Sequence, residues 1–258
     1  MKLQRPIKTQ GAGGRLRPLG PPLPTWTFQA GHEPIVLTGE GAMVFPQRAL
    51  AMVADLHLGK TQVFRRQGLA VPEGSDEETL KKLECLLAAW PLQQLVILGD
   101  LIHHQTALDD AGRLLNRLKL FRERWPRLGL HLVLGNHDKA LRPQPHARAS
   151  LADELLATLG LECHPWAFVQ PGLSGHHEPP VAAEEGWQVS GHLHPVVRVY
   201  LGAGQWKRLA CFTRCERHWQ LPAFGAFTGG FTIVPAHYHD IVALAEGQLL
   251  ALGRPGLG

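Results

Sequence analysis

Residues 49–57 read Ala49-Leu50-Ala51-Met52-Val53-Ala54-Asp55-Leu56-His57. Six apolar residues in a row suit a strand buried on both faces, and the run ends directly on a carboxylate and an imidazole. The pattern recurs down the chain. Leu95 to Leu98 is followed by Gly99-Asp100, and Leu130 to Leu134 by Gly135-Asn136-His137-Asp138. A later run, Trp187 to Ser190, leads to Gly191-His192-Leu193-His194. Each apolar run predicts a strand that delivers polar side chains at its carboxyl end.

Amphipathic stretches separate the first of these runs. Ser75 with Glu78 has the spacing of a capping box ahead of Leu80, Leu83, Leu87 and Trp90. Thr106 with Asp109 precedes Leu114, Leu115, Leu118 and Phe121, and Ser150 with Asp153 accompanies Leu151, Leu155 and Leu159 before Gly160. Alternating strands and helices predict an α/β fold whose ligands gather beyond the carboxyl strand ends. After Gly160 short β-like runs dominate, including Val196 to Leu201, Trp206 to Phe212 and Phe231 to Val234. They predict a second sheet packed on the first, with helices outside both. Pro143 to Pro145 and Pro171 to Pro180 are expected to be loops at the rim.

Asp, Asn and neutral His offer the oxygen and nitrogen donors that suit divalent ions such as Mn²⁺, Fe or Zn²⁺, and no motif relies on thiolate. Alone, each motif is weak: a Gly-Asp after a strand is often a turn, and a His-Leu-His pair is often structural. Four in this order form the signature of a two-metal phosphoesterase. Asp100 is the natural carboxylate to lie between two ions, because the glycine before it permits close backbone approach. Asp55 and His57 share one face if the segment stays extended, Asn136 can give its amide oxygen to a second ion, and His192 and His194 can both point inward.

The chain has 258 residues, 45% of them hydrophobic, which is ample for a buried core. The formal net charge of +4 favours anionic partners, but much of the excess lies in Lys2, Arg5, Lys8, Arg15 and Arg17, ahead of any acidic residue. Residues 1–25 are expected to form a flexible, basic, Gly/Pro-rich leader, a solvated tail before a single domain at 26–258. No apolar stretch predicts a signal peptide or a membrane span, so the expected location is cytoplasmic with no membrane partner. Cys85, Cys163, Cys211 and Cys215 are too scattered for a disulfide framework, and Cys211, Cys215 and His218 fall one ligand short of a structural zinc site.

The motif order Asp-x-His, Gly-Asp, Gly-Asn-His-Asp, a lone His and Gly-His-x-His resembles the calcineurin-like metallophosphoesterases over residues 49 to 197. Longer strings, ADLHLGK at 54–60, FRRQG at 64–68, GDLIHH at 99–104, VSGHLHP at 189–195 and LPAFGAFTGG at 221–230, are similar to the DNA ligase-associated (PdeM-type) branch. The resemblance implies a four-layer α/β/β/α sandwich and two divalent metal ions, most often Mn²⁺. By position, Asp55, His57 and His194 would hold one ion, Asn136 and His192 the other, and Asp100 both. The remaining histidine is either His176 or His177, and His177 is favoured because the family's ligand stands shortly before a proline. His137 would face the phosphate as the acid for the leaving oxygen, with Asp138 orienting it. The branch further implies a DNA-cutting phosphodiesterase in repair, acting on single-stranded or damaged ends alongside a ligase and a helicase. A nucleotide or other small phosphoester is the alternative substrate. Lys60, Arg65, Arg66 and His103 are the candidate substrate contacts, while Lys139 and Arg142 also follow a metal motif.

Overall fold

The computed structural model describes residues 24–31, 33–107, 112–142, 150–182 and 185–252. Seven strands form a first sheet in chain order: β1 (Thr25–Ala30), β2 (Glu33–Thr38), β3 (Met43–Phe45), β4 (Leu50–Val53), β5 (Gln94–Leu98), β6 (Gly129–Val133) and β7 (Leu161–His164). The antiparallel meander β1–β4 is followed by parallel pairing of β4, β5, β6 and β7, so three motif-bearing strands end on the same side. Nine further strands make a second sheet: β8 (Ala167–Gln170), β9 (Leu173–His176), β10 (Trp187–Ser190), β11 (Pro195–Gly202), β12 (Gln205–Cys215), β13 (His218–Gln220), β14 (Phe231–Thr232), β15 (Asp240–Ala245) and β16 (Gln248–Leu252).

Alternation decides which face each strand buries. In β4, Ala51 and Val53 join one core while Leu50 and Met52 join another. The first core is closed by leucines from α2 (Ser75–Ala89), α3 (Arg113–Arg124) and α4 (Leu151–Leu159). The second lies between the sheets, where Met52, Val96 and Leu98 meet Phe168, Val189, Phe212 and Trp219. The expected α/β sandwich is therefore present. Its outer layer over the second sheet is thin: Val197, Leu209, Cys211, Ile241 and Ala243 are covered there by Ile233 and Tyr238, which flank a 3-10 turn at Pro235–His237.

Helix starts differ from the sequence expectation in two of three cases. α4 has the expected Ser150–Asp153 capping box and stops at left-handed Gly160. α2 instead starts behind Gly74, with Ser75 as its first residue. The neighbouring Asp76 carboxylate accepts Gly59 N–H (2.9 Å) and Gln62 Nε2–H (3.0 Å), so this first turn anchors α1 (Lys60–Arg66) rather than capping itself. α3 starts behind Gly112, while Thr106 lies in a separate turn with Oγ1 2.9 Å from His104 Nδ1. Asp109, Pro143 to Pro145 and leader residues 1–23 lie outside the described residues. The expected loop at Pro171 to Pro180 is crossed by β9, which runs parallel to β10 and antiparallel to β8. Its Leu-Ser-Gly-His sequence lacks strand-forming side chains, but Gly175 is pressed against Leu98 and Met52 of the first sheet, where a larger residue would clash.

Candidate metal centre

Each motif sits where a strand stops, and in three of the four the turn is made by left-handed residues. Asp55 (φ 55°), His57 (47°), Asp100 (51°), His192 (69°) and His194 (47°) all occupy the region that costs a non-glycine residue of order 1–3 kcal/mol. Asp55 and His57 thus do not share a face through an extended backbone, as expected from their spacing. Their loop instead coils beside the next one, with His57 N–H donating to Asp100 O (2.8 Å) and Leu58 N–H to Leu101 O (3.0 Å). Asp55, His57 and Asp100 are buried, and these backbone bonds hold their loops in place. Gly99 (φ 81°) is required here because a Cβ at this position would lie 2.0 Å from His177 Nδ1.

Two groups of side chains face one another across Asp100. On one side, Asp55, His57 and His194 present ligand atoms close enough to share an ion, with His194 Nε2 3.3 Å from Asp55 Oδ1. On the other, His177 Nε2 lies 2.9 Å from Asn136 Oδ1 and 3.0 Å from His192 Nδ1. Asp100 reaches both: Oδ2 is 3.7 Å from His57 Nε2, and Oδ1 is 3.7 Å from His177 Nε2. Of the two adjacent histidines, it is His177, 5% exposed, that enters this group. His176 turns to Ser174, with Nε2 2.9 Å from Oγ.

Proton bookkeeping shows what these groups fit. His177 Nδ1 donates to the Leu98 carbonyl (3.0 Å) and His194 Nδ1 to the Gly229 carbonyl (3.1 Å). In the neutral rings, each Nε2 then carries a lone pair. His177 Nε2 is left facing the Asn136 oxygen at 2.9 Å, acceptor against acceptor, an arrangement that a cation between them would make favourable. Asp55 Oδ1 and His194 Nε2 are buried with no hydrogen-bond partner among the described residues, although they point at each other. These donors, all N and O with backbone carbonyls fixing the imidazoles behind them, suit divalent ions. Burial, reinforced by His194, Lys60, His137 and His103, pushes His57 down to about 2, which keeps its imidazole neutral and able to ligate. Burial alone would also lower His194, but the Asp55 carboxylate, the Gly229 carbonyl and Asp100 together outweigh it and the net shift is upward.

Around this centre stand the residues expected to act on the substrate. The His137 ring approaches His57 (centroids 5.0 Å) and stacks on His103 (4.8 Å), and its Nδ1 donates to the His103 carbonyl at 2.7 Å. Asp138 was expected to help orient His137. Its carboxylate accepts N–H groups from Gly135 (3.0 Å) and Ile102 (3.3 Å), because the tight turn turns it inward, and burial pushes its pKa up to about 6. Asp138 therefore braces the loops that carry His137. Asp100 Oδ1 fixes the same loop by accepting His137 N–H at 2.9 Å.

Lys60 and His103 come to the centre, and burial lowers both, His103 to about 4. Arg65 and Arg66, at the far end of α1, are exposed and engaged with Glu73 and with the Thr106 carbonyl (2.8 Å). The sequence reading did not assign Phe64 and Phe227, which pack edge-on at 6.2 Å beside His103, nor the Gly229 carbonyl that fixes His194. The string at 221–230 was the only signal for the last two. Cys211 and Cys215 are separated by four residues of one continuous strand, about 13 Å. With His218 bonded to Ser190 Oγ (2.8 Å), they do not converge on a zinc site.

The family model for calcineurin-like phosphoesterases matches residues 49–178, which takes in Asp55, His57, Asp100, Asn136, His137, Asp138 and His177 but stops short of His192 and His194. No curated protein matches the chain. Among solved structures, the nuclease MPE of Pseudomonas putida is similar, with 30% identity and a TM-score of 0.70 over 88% of this chain and 100% of that one. Half the sequence fits one family model and the fold follows a full-length structural relative, so the chain belongs to the calcineurin-like phosphoesterase family and is a metal-dependent phosphoester hydrolase.

Proposed function

We propose that this protein is a two-metal phosphodiesterase that cleaves DNA, single-stranded or with damaged ends, in the cytoplasm during repair. The observation that carries the two-metal reading is Asp100, whose two oxygens face separate ligand groups, Oδ2 toward His57 and Oδ1 toward His177. Asp55, His57 and His194 would hold one ion, and Asn136, His177 and His192 the other. Divalent ions there supply Lewis acidity toward the phosphate oxygens and a nucleophilic water at neutral pH. A protein nucleophile is unnecessary. With Nδ1 bonded to the His103 carbonyl, protonated His137 has Nε2–H to give to the oxygen that leaves as the P–O bond breaks. Lys60, beside the cluster, would contribute positive charge toward the phosphate.

Mn²⁺ is the proposed ion, because carboxylate, amide and imidazole without thiolate suit it. The DNA substrate is supported by the similarity to a nuclease and by the longer sequence strings; a ligase and a helicase as working partners rest on the strings alone. The test compares single-stranded DNA, duplex DNA and a small aryl phosphodiester with the same Mn²⁺-loaded protein. Efficient turnover of a nucleotide or phosphomonoester without DNA cleavage would replace the nuclease reading with a small-substrate one.

A further inference from the structure

The metal centre continues outward along one hairpin. β11 leaves directly after His194 and pairs antiparallel with β12, setting Val196 opposite Ala210, Arg198 opposite Arg208 and Tyr200 opposite Trp206. The alternate residues Val197, Val199, Leu209 and Cys211 face the apolar cluster on the sheet's other side. The face that remains begins at a cleft of about 240 Å³ lined by His194, Val196, Arg208, Gly229 and Gly230. It ends about 17 Å along β11 at Tyr200.

What this face displays is unusual for a solvated sheet. Tyr200 is 54% exposed and Trp206 57%, their rings tilted together at 5.2 Å. Arg198 lies over the Trp206 ring at 5.0 Å, and Arg208 donates to the Gly230 carbonyl at 2.7 Å. Like charges placed directly across a sheet destabilise it unless an anion lies between them. Exposed aromatic rings likewise cost hydration that a stacked partner would recover. A cation pair followed by an aromatic pair, on a face continuous with a phosphoesterase centre, matches a phosphate and the base beside it in a nucleic-acid strand.

We propose that the β11–β12 hairpin is the path of a single DNA strand across the protein: Arg198 and Arg208 take a phosphate, and unpaired bases stack on Tyr200 and Trp206. This rests on the nuclease reading and adds the face along which that substrate lies. Paired bases are already stacked and cannot use the rings, so the path is selective for single strands.

The test measures fluorescence anisotropy of a labelled, cleavage-resistant phosphorothioate oligo-dT strand, and of a duplex of equal length, with metal-loaded protein. Tyr200→Ala/Trp206→Ala is expected to weaken single-strand binding about 5- to 100-fold, the range for loss of a base–aromatic stack, while duplex binding changes little. Trp206→Phe should recover most of the affinity. Arg198→Gln, which spares the rings, should lower the log–log salt slope by about 0.7, one phosphate contact on a single strand. Unchanged single-strand affinity in the double alanine variant, or equal loss on duplex, would overturn the path while cleavage of DNA by the wild type still upheld the nuclease reading. Wild-type binding through the hairpin without DNA cleavage would do the reverse. A wild type that neither binds nor cleaves the strand would remove both.

Discussion

Asn136 Oδ1 and His177 Nε2 lie 2.9 Å apart, although the His177 ring gives its Nδ1 proton to the Leu98 carbonyl 3.0 Å away. A cation between them would make this contact favourable, and His192 Nδ1, 3.0 Å from His177 Nε2, is placed to be a third ligand atom. His177→Ala should therefore lower metal content toward one ion per chain and reduce turnover at least 100-fold. His176→Ala, whose ring is bonded to Ser174 and lies outside the ligand groups, should keep both ions. Elemental analysis of the two variants side by side decides the matter; equal metal loss in both would contradict the geometry.

Removing metal should cost stability as well as activity. Asp55 Oδ1 and His194 Nε2 are buried with no hydrogen-bond partner among the described residues, so chelation leaves unsatisfied groups in the core. An ion held at 100 times its dissociation constant contributes about 2.7 kcal/mol. Calorimetry with and without chelator is expected to show a Tm lower by several degrees in the chelated protein, reversed by adding Mn²⁺.

His137→Ala should separate chemistry from metal binding. Its ring is tied to the His103 carbonyl rather than to a ligand, so metal content should hold while turnover of DNA falls about 10²–10⁴-fold, the range for loss of a general acid. A nitrophenyl diester, whose leaving group needs little protonation, should lose less. Equal losses on both substrates would assign His137 to binding instead.

Gly99→Ala tests the packing behind the centre. The new Cβ would fall 2.0 Å from His177 Nδ1, at a backbone φ of 81° that alanine disfavours by about 1–2 kcal/mol. The ring must move off the Leu98 carbonyl, so metal affinity is expected to drop about 10- to 100-fold, as for loss of a partner behind a ligand. Retained affinity, read by titration calorimetry, would show that the loop relaxes without moving His177.

Acid stability should depend on a histidine outside the centre. Burial, with His176 nearby, pushes His218 down to about 4 from its ordinary 6.5. The unfolded chain takes up this proton first, so the contribution is fully present above pH 6.5 and is lost as pH falls toward 4. His218→Asn should shrink the decline in Tm between pH 7 and pH 4.5. An unchanged decline would assign acid lability elsewhere.

The site was legible in the sequence because its residues sit at strand ends in a fixed order, and apolar runs such as 49–54 announce those ends. The meander β1–β3 was not, since Thr25 to Phe45 mixes periods and has short strands that tertiary pairing alone stabilises. β9 was hidden by its small residues, which only the opposing sheet makes necessary. The role of Ser75 was misread for a related reason: spacing shows which side chain can reach a group, but packing decides which group it serves. The Tyr200–Trp206 pair likewise emerges only once the register of the hairpin is known.

The backbone bond from His192 N–H to Asp55 Oδ2 joins positions 137 residues apart. A centre assembled across that distance cannot form from any local segment, and ions held by residues of both sheets would lodge only after the sheets have met. Metal uptake by the full set would therefore report completed folding, and a chain still emerging or half-collapsed would lack the complete centre. For a protein that would cut phosphodiesters, this dependence on long-range closure withholds activity from every incomplete form.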